Sequence, residues 1–306
     1  MFVVKYRKVW FALSAILLVL SFYAIFVYGF KLSIDFTGGA ITEVHYLPAQ
    51  AGEGVRPEKS SLEESIEALE FGGFSVLPLG EDAYVIRTRD LTGTDRENLD
   101  TALGAINPAF TIERQNTVGP IAGAELQSKA MKAVMVVVLM IVIFITFAFR
   151  GVSKPVASWK YGLATIIALA HDVIIPTGIF VFLGHFYGVE MDLLFVSGLL
   201  AILGYSVHDS IVVFDRVREN LRINQEKNIN EEFEVLVGKS VSQTFARSIN
   251  TSITIFITLF ALYLIGPAAT EDFALLLIIG VIVGTYSSIF VASPLLVTFY
   301  KLQKKT

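Results

Sequence analysis

The sequence predicts an α-helical membrane protein with six transmembrane helices and one α+β domain inserted between the first two helices. Three observations lead to this fold class. The 306 residues are 54% hydrophobic and 17% charged, with a mean hydropathy of +0.64, which is too apolar for a soluble globular protein. Six apolar segments are long enough to cross about 30 Å of hydrocarbon as helices. One long acidic segment separates the first segment from the second.

The six apolar segments predict the transmembrane helices. They run over Val9 to Phe30, Ala133 to Phe149, Lys160 to Leu183, Leu193 to Phe214, Ser248 to Ala269 and Phe273 to Tyr300. The first segment lacks a small-residue cleavage site and leads into domain sequence, so we interpret it as a retained anchor. A cleaved signal peptide is the alternative.

Lysine and arginine predict how the chain is oriented. The short loops Gly184 to Asp192 and Gly266 to Asp272 contain neither residue. The basic residues that flank the spans on the other side are Lys5, Arg7, Lys8, Arg150, Lys154, Lys160, Arg216, Arg218, Arg222, Lys227, Lys239, Arg247, Lys301, Lys304 and Lys305. By the positive-inside rule, both termini are cytoplasmic and the inserted domain is extracytoplasmic.

The composition predicts three regions. Residues 1–30 form the cytoplasmic N-terminus and transmembrane helix 1, and residues 31–128 form an extracytoplasmic head domain with 16 acidic and 7 basic residues. Residues 129–306 hold transmembrane helices 2–6, a cytoplasmic loop at 215–247 and a cytoplasmic C-terminus. The chain has no cysteine, which excludes disulfides, thiolate metal sites and thiol nucleophiles.

The head domain is predicted to have the element order βαββαβ. The elements are strand Ile41 to Leu47, helix Ser60 to Phe71, strand Phe74 to Leu79, strand Ala83 to Thr88, helix Thr94 to Ile106 and strand Phe110 to Asn116. Ser60 or Ser61 is expected to cap the first helix, and Thr94 the second. The order is that of the ferredoxin-like split βαβ fold, in which two helices cover one face of a sheet.

Asp35, Phe36, Gly38 and Gly39 follow the first span in the segment Ile34-Asp-Phe-Thr-Gly-Gly. Paired glycines adopt backbone conformations closed to other residues. On this motif alone we favour a tight turn between membrane and strand, with Asp35 as its cap, over a ligand site.

Two aspartates lie inside predicted spans, where a charge is costly and is usually kept for an ion pathway, a partner or a proton relay. Asp172 follows His171 in the third span, and Asp209 follows His208 in the fourth. For Asp209 we favour a functional role over a structural hydrogen-bonded carboxylate, whereas for Asp172 both interpretations stay open. The two histidines are interpreted as spectators.

Arg247 opens the fifth span next to a polar stretch, so it could reach an aspartate. The competing interpretation is a positive-inside anchor that snorkels to the headgroups. Gly280 and Gly284 have the GxxxG spacing of a helix-packing face. The segment Glu231 to Ala246 is predicted to be an amphipathic helix on the inner membrane interface.

Several of these motifs, in this order, resemble the SecF family. They are Asp35 to Gly39, Ala170 to Val173, Gly204 to Asn220, Arg247 to Ser252 and Gly280 to Ser293. SecF proteins are the smaller members of the SecD/SecF pair, which assists the bacterial Sec protein translocase and belongs to the resistance, nodulation and division superfamily. Many family members carry Asn where this chain has His208.

The resemblance implies an accessory subunit in the bacterial inner membrane that uses the proton gradient to promote preprotein export on the outer side. Asp209 and Arg247 match the family's proton-conduction residues, and Asp172 is a third candidate. Implied partners are SecD in a heteromer, the SecYEG translocon, YajC or YidC, unfolded preproteins and the lipid bilayer. No nucleic acid, metal, cofactor other than the coupling proton, or enzymatic activity is expected.

Two other functions remain as alternatives. A proton-coupled exporter of lipids or small molecules would share the membrane carboxylates, although such proteins usually carry two six-span halves in one chain. An intramembrane aspartyl protease could use Asp172 and Asp209 as a pair that shares one proton. Neither aspartate lies in a Gly-x-Gly-Asp motif.

Overall fold

The computed structural model describes residues 2–46, 56–149 and 156–303. Within these ranges lie six helices long and apolar enough to cross a membrane, together with one four-stranded sheet, so the predicted fold class is confirmed. The chain divides into a membrane unit, Met1–Lys31 with Lys132–Thr306, and a head unit, Leu32–Met131. Four basic residues used in the orientation argument, Arg150, Lys154, Lys304 and Lys305, lie outside the described residues.

The elements are labelled in chain order. The helices are α1 Phe2–Lys5, α2 Arg7–Tyr28, α3 Ile34–Thr37, α4 Lys59–Glu67, α5 Gly93–Ile106, α6 Pro120–Ala148, α7 Ser158–Tyr187, α8 Leu193–Glu226, α9 Phe233–Ile265, α10 Glu271–Ser287 and α11 Ser293–Gln303. The strands are β1 Gly39–Tyr46, β2 Ser75–Leu79, β3 Ala83–Thr88 and β4 Phe110–Val118. A π-helical segment, Ser288–Ala292, joins α10 to α11 without a break.

Several long helices extend beyond the predicted spans. α6 begins at Pro120, well before the predicted start at Ala133, and α8 and α9 continue through most of the expected loop at 215–247. Only residues 227–232 connect them. The charged residues that suggested a loop form ion pairs along α8, Arg216 with Glu219 and Arg222 with Glu226. Such pairs stabilise an exposed helix surface. The charged residues after Phe214 therefore continue α8 and do not mark its end.

The predicted interfacial helix over Glu231 to Ala246 is wrong in its placement. Residues 233–246 form the first part of α9, and their apolar side chains are largely buried in the core of the membrane unit. Phe233 packs against Tyr300 with ring centroids 4.9 Å apart, and Phe245 is exposed. The amphipathic pattern was real, but its apolar face is covered by neighbouring helices.

The long helices fall into two groups by burial. In the spans Trp159–Tyr187, Leu193–Glu226 and Glu271–Gln303, half or more of the most apolar stretch is buried within the chain. In α2, α6 and α9 the buried share of that stretch is less than a fifth. Glycines allow the buried helices to approach closely, as the GxxxG spacing predicts. A Cβ on Gly280 would lie 2.2 Å from Ile202 Cγ1, and one on Gly284 would lie 3.3 Å from Ser206 Cβ.

The head unit has the predicted ferredoxin-like architecture. Its sheet has the order β2-β3-β1-β4 with every neighbouring pair antiparallel. Alternate residues of β1 point into a core that includes Leu62 and Ile66 of α4 and Leu99 and Leu103 of α5. The two helices therefore cover one face of the sheet, as a single amphipathic sheet face requires.

The predicted helix caps of the head unit are wrong in position. α4 follows Glu58 without a side-chain cap, and α5 is capped by Thr92, not Thr94. Thr92 Oγ1 accepts a hydrogen bond from the Asp95 backbone N–H at 3.3 Å, and Asp95 Oδ2 accepts one from the Thr92 N–H at 3.1 Å. The hydrogen bond from the Thr92 backbone N–H, aided by the Thr92 hydroxyl and Arg89, holds the pKa of Asp95 below its usual value.

Candidate functional site

Asp172 lies on α7 and is fully buried in the membrane unit. Its carboxylate accepts hydrogen bonds from Ser287 Oγ at 2.6 Å and from Ser206 Oγ, and His171 Nδ1 lies 2.9 Å from Oδ1. Ser206 belongs to α8 and Ser287 to α10, so one carboxylate joins three helices. Pro176, one turn later, has no N–H to donate to the Asp172 carbonyl, which interrupts the helix ladder beside the site.

Asp209 lies on α8 and is 6% exposed. Its carboxylate accepts hydrogen bonds from Ser248 Oγ of α9 at 2.6 Å and from Ser288 Oγ. Ser288 begins the π-helical segment. Asp209 therefore joins α8, α9 and this segment through two neutral donors, in the same manner as Asp172.

The two sites are linked through shared helices. Adjacent residues Ser287 and Ser288 donate to different aspartates, and Ser206, which donates to Asp172, precedes Asp209 by one turn of α8. We call the two aspartates and their four serines the carboxylate cluster: Asp172, Asp209, Ser206, Ser248, Ser287 and Ser288. A π-helical turn at this point is notable because such turns often occur at functional sites.

More hydroxyl groups lie near the carboxylate cluster. Tyr205 Oη lies 2.6 Å from Ser252 Oγ, and Ser252 Oγ lies 2.6 Å from Thr285 Oγ1. Ser252 is one turn beyond Ser248 on α9 and donates to its carbonyl oxygen at 2.8 Å. The Ser248 carbonyl oxygen, which links Ser252 to the carboxylate cluster, only accepts hydrogen bonds. Among the described residues, these hydroxyls therefore lie beside the cluster without joining its hydroxyl contacts to the carboxylates.

The two membrane histidines occupy different environments. His171 is 2% exposed and contacts Asp172, and its Nε2 is buried without a hydrogen-bond partner among the described residues. Its ring centroid lies 5.9 Å from that of Tyr286. His208 is exposed. Both histidines were interpreted as spectators, and the structure places His171 in contact with the Asp172 carboxylate.

Arg247 is exposed and makes no hydrogen bond or ion pair among the described residues. The neighbouring residue, Ser248, contacts Asp209 instead. The structure therefore brings Asp172 and Asp209 into one cluster but does not bring Arg247 to either of them. Within the polar stretch that follows Arg247, Ser248 and Ser252 point inward, whereas Asn250 and Thr254 are exposed.

The serines of the carboxylate cluster are the functional candidates that the sequence analysis missed. In the last span Gly280 and Gly284 were singled out, for helix packing, and Ser206 was given no role. Ser206 occurs one turn before Asp209, and Ser287 and Ser288 are a hydroxyl pair within an apolar span. Such placement is a usable signal, because polar residues in a transmembrane helix usually face a partner.

The arrangement has chemical consequences for the alternatives. A carboxylate held by hydroxyls can exist in either protonation state, since each hydroxyl can donate to the ionised form or accept from the protonated one. Among the described residues no hydrogen bond joins Asp172 to Asp209, and each carboxylate has its own serine pair. An aspartyl protease pair requires two carboxylates that share a proton. The geometry therefore shows two separately held carboxylates and does not support a pair that shares a proton.

The paired glycines after the first span belong to the head unit and occupy a crowded turn. Ser33, and not Asp35, caps α3, with Ser33 Oγ accepting from the Asp35 N–H at 3.2 Å. Gly38 and Gly39 have φ angles of 76° and 129°, which favour glycine. A Cβ on Gly38 would lie 2.8 Å from Pro120 Cα, and one on Gly39 would lie 2.8 Å from the Thr88 carbonyl oxygen.

This turn therefore packs closely against the start of α6. A Cβ on Gly123 would lie 2.9 Å from the Gly38 nitrogen and 3.0 Å from the Phe36 carbonyl oxygen. Phe36 itself is buried. The predicted tight turn is present, and its glycines are required by close backbone approach rather than by a ligand.

Family models match two parts of the chain. Residues 98–302 match the model of the protein export membrane protein SecD/SecF C-terminal region, and residues 23–46 match the SecD/SecF GG motif. The first match covers the carboxylate cluster and all of the long helices from α6 onward. The second covers α3, the crowded glycine turn and β1.

Curated relatives and solved structures agree with these matches. The chain is 36% identical to the protein translocase subunit SecF of Thermobaculum terrenum, covering 97% of this chain and 93% of the relative. It is 35% identical to SecF of Haemophilus influenzae, covering 94% and 82%. The crystal structure of SecDF, a translocon-associated membrane protein from Thermus thermophilus, superposes with a TM-score of 0.82 and 31% identity. That match covers 97% of this chain but 38% of the SecDF chain.

Proposed function

The chain belongs to the SecD/SecF family of protein export membrane proteins, and from this premise we propose that it is an accessory translocase subunit that couples proton flow to preprotein export. We propose that it works in the bacterial inner membrane as a heteromer with SecD, beside the SecYEG translocon. YajC, YidC and unfolded preproteins are further proposed partners. The relatives' names favour protein export over export of lipids or small molecules.

One observation supports the coupling role most directly. Asp172 and Asp209 are buried in an apolar helical unit, and among the described residues their hydrogen-bond partners are serine hydroxyls and, for Asp172, His171. A purely structural carboxylate in hydrocarbon would usually be matched by a cation or replaced by an amide. Neutral donors leave both carboxylates able to bind and release a proton.

The energy of a proton is sufficient for such coupling. A proton that crosses about 100 mV supplies roughly 2.3 kcal/mol, which can shift a two-state equilibrium by roughly fifty-fold. Protonation of Asp209 removes a charge that Ser248 of α9 and Ser288 of the π-helical segment now solvate. The hydrogen bonds from the two serines to the carboxyl group are then weaker, so protonation can alter the packing of these helices.

We retain Arg247 as a proposed proton-conduction residue because it matches the family motif. Its exposed side chain does not contact Asp209 in this conformation, so the role requires a second conformation in which the guanidinium approaches the carboxylate. An approaching cation would favour the ionised form of Asp209 and release its proton. The cycle would then alternate between serine-held and arginine-paired states.

We propose cytoplasmic termini and an extracytoplasmic head unit, on the basis of the Lys and Arg distribution. The absence of native thiols makes this directly testable. Ser60→Cys and Gly93→Cys, both at exposed head positions, should react with an impermeant thiol reagent added to intact cells. Asn228→Cys, between α8 and α9, should react only after the membrane is opened. External labelling of Asn228→Cys would contradict the orientation.

The proposed function is tested by export into inverted membrane vesicles that contain SecYEG and SecD. Addition of this chain should raise preprotein export when a proton gradient is present and should have little effect after the gradient is collapsed. A variant in which residues 40–117 are replaced by a short flexible linker should still copurify with SecD but should not stimulate export. Full stimulation by that variant would refute a coupling role for the head unit.

A further inference from the structure

Two carboxylates and a histidine converge on the exposed face of the head sheet. Glu43 and His45 are two residues apart on β1, so their side chains share one face of the sheet. Val44 and Tyr46 point to the opposite face, where they are buried in the head core. Glu113 approaches from the neighbouring strand, β4. We call Glu43, His45 and Glu113 the sheet-face triad.

A β-bulge brings Glu113 into the sheet-face triad. Glu43 pairs with Arg114, and the next residue of β1, Val44, pairs with Ile112, so Glu113 is an extra residue on β4. Ile112 packs against the head core, and Glu113 and Arg114 then follow one another as exposed residues of β4, where a regular ladder would alternate. Bulges turn individual side chains away from the regular alternation and are frequent beside binding sites.

The distances within the triad suit a metal ion. His45 Nε2 lies 3.3 Å from Glu43 Oε1 and 3.5 Å from Glu113 Oε2, and all three ligand atoms lie within 4.8 Å of one another. Ligands bonded to tetrahedral Zn²⁺ at about 2.0–2.2 Å are separated by about 3.4 Å. One imidazole nitrogen can form a single strong hydrogen bond, whereas one cation can satisfy all three ligand atoms together.

Asp82 lies beside His45, just beyond hydrogen-bond distance, on the side where histidine ligands usually have a supporting carboxylate. Its Oδ2 lies 3.6 Å from His45 Nδ1, on the opposite side of the ring from Nε2. A carboxylate at Nδ1 favours the tautomer whose Nε2 lone pair faces a metal. The side chains of Glu43 and His45 are 18% and 23% exposed, so they are partly shielded, while Glu113 at 60% leaves access from solvent.

We propose that the sheet-face triad binds one divalent transition-metal ion, with Zn²⁺ the best match to its ligands. Ca²⁺ and Mg²⁺ prefer all-oxygen sites, whereas a mixed nitrogen and carboxylate set suits Zn²⁺ and its neighbours. Three protein ligands leave a position for water. The bound ion would tie β1 to β4 independently of the proton chemistry in the membrane unit.

No metal site was expected from the sequence. The sheet-face triad could not be identified there, because Glu113 is remote from Glu43 and His45 along the chain and no sequence pattern predicts the bulge. The competing interpretation is a solvated ion-pair network in which a protonated His45 offsets the surrounding carboxylates. That network would attract cations diffusely, since residues 31–128 carry 16 acidic and 7 basic residues. The two interpretations differ in stoichiometry and in which substitutions matter.

The experiment is Zn²⁺ binding to the purified full chain in detergent, with excess Mg²⁺ present to displace diffusely held cations. The wild-type chain should bind one Zn²⁺. His45→Gln and Glu113→Gln should each weaken binding by more than about tenfold, and Asp82→Asn by about tenfold. Glu113 is exposed, so its variant should fold normally. Added Zn²⁺ should also raise the melting temperature of the wild-type chain.

Two matched controls make the result specific. Glu81→Gln removes an equal charge from the same hairpin as Asp82, and His185→Gln removes an exposed histidine outside the head unit. Both should bind Zn²⁺ like the wild type. Equal weakening by Glu81→Gln and Glu113→Gln would show diffuse attraction and overturn the proposal. Absence of Zn²⁺ binding by the wild-type chain in excess Mg²⁺ would overturn it as well.

Discussion

Asp172 and Asp209 each accept hydrogen bonds from two serines, but they differ in enclosure and in neighbours. Asp172 is fully buried, contacts His171 and lies beside the ladder interruption at Pro176, whereas Asp209 is 6% exposed and has no basic partner among the described residues. The comparison indicates that Asp172 is built into the packing of its helices, while Asp209 lies at the margin of the same packing. If the proposed proton role is correct, a proton should reach Asp209 with the smaller rearrangement.

The largest expected effect on stability is that of Asp172→Ala. This change leaves the Ser206 hydroxyl without its acceptor in a fully enclosed site, at a cost of about 1–3 kcal/mol, whereas Ser287 keeps the Gly284 carbonyl oxygen as a second acceptor. Thermal unfolding in detergent should show a larger loss for Asp172→Ala than for Asp209→Ala. Asp172→Asn, which can still accept hydrogen bonds, should lose much less.

Equal losses in Asp172→Ala and Asp209→Ala would remove the distinction between an enclosed and a marginal carboxylate. A silent Asp172→Ala would mean that its serine contacts contribute nothing to stability.

Substitution of the adjacent serines, Ser287 and Ser288, should have a smaller effect on stability. These substitutions distinguish the Asp172 site from the Asp209 site. Ser287→Ala should be non-additive with Asp172→Ala and additive with Asp209→Ala, because Ser287 donates to Asp172 and an alanine removes the acceptor. Ser288→Ala should show the opposite pattern. Coupling energies of about 0.6–1.7 kcal/mol are expected for hydrogen bonds between membrane helices. Double-mutant cycles in thermal unfolding measure them, and coupling of both serines to one aspartate would contradict the assignment.

The histidine neighbours offer a matched pair of substitutions. His171→Phe keeps a ring beside Tyr286 but loses the nitrogen that contacts Asp172, whereas His208→Phe changes an exposed residue. Gradient-driven export should fall in His171→Phe and stay near the wild-type level in His208→Phe. If both variants export equally well, His171 has no part in the chemistry of Asp172.

The smallest expected effect is that of Arg247→Lys. The exposed arginine makes no hydrogen bond or ion pair among the described residues, so protein stability should be unchanged. A transient guanidinium contact to Asp209 predicts a few-fold loss of gradient-driven export, because Lys cannot reproduce its planar geometry. Arg218→Lys, which changes an exposed arginine on α8, serves as the control. Identical export by both variants would show that Arg247 is only an anchor.

The fold was largely accessible from the sequence because its signals are local. The length of the apolar segments predicted the six spans. The alternation of apolar and polar residues in β1 and β3 predicted strands of the head, and β3 was predicted at its observed bounds. The errors occurred where tertiary contacts override local signals. The charged residues after Phe214 form ion pairs on a helix surface and do not mark a loop. The apolar residues over Phe233 to Val241 pack into the core of the same chain and not against the membrane interface.

The candidate site was only half accessible for a related reason. A carboxylate in an apolar span is conspicuous in the sequence, so Asp172 and Asp209 were identified, but their partners lie on other helices. The inward direction of Ser206, Ser248, Ser287 and Ser288 depends on helix rotation and on the π-helical turn at Ser288–Ala292. Neither quantity can be derived from hydropathy or spacing.

Gradient-dependent export by Asp209→Asn is the most direct test of the account. The asparagine keeps the size and most of the hydrogen bonding of the aspartate but cannot ionise. Asp215→Asn, which removes an exposed aspartate from the same helix, is the matched control. Both variants should copurify with SecD at wild-type levels, so that export differences report coupling and not assembly.

The account predicts that Asp209→Asn abolishes the stimulation of export by a proton gradient, while Asp215→Asn keeps it. Because an amide can replace a protonated carboxyl in a hydrogen bond, a purely structural Asp209 should tolerate this change. Wild-type stimulation by Asp209→Asn in the presence of the gradient would therefore contradict the central claim and leave Asp172 as the candidate proton carrier.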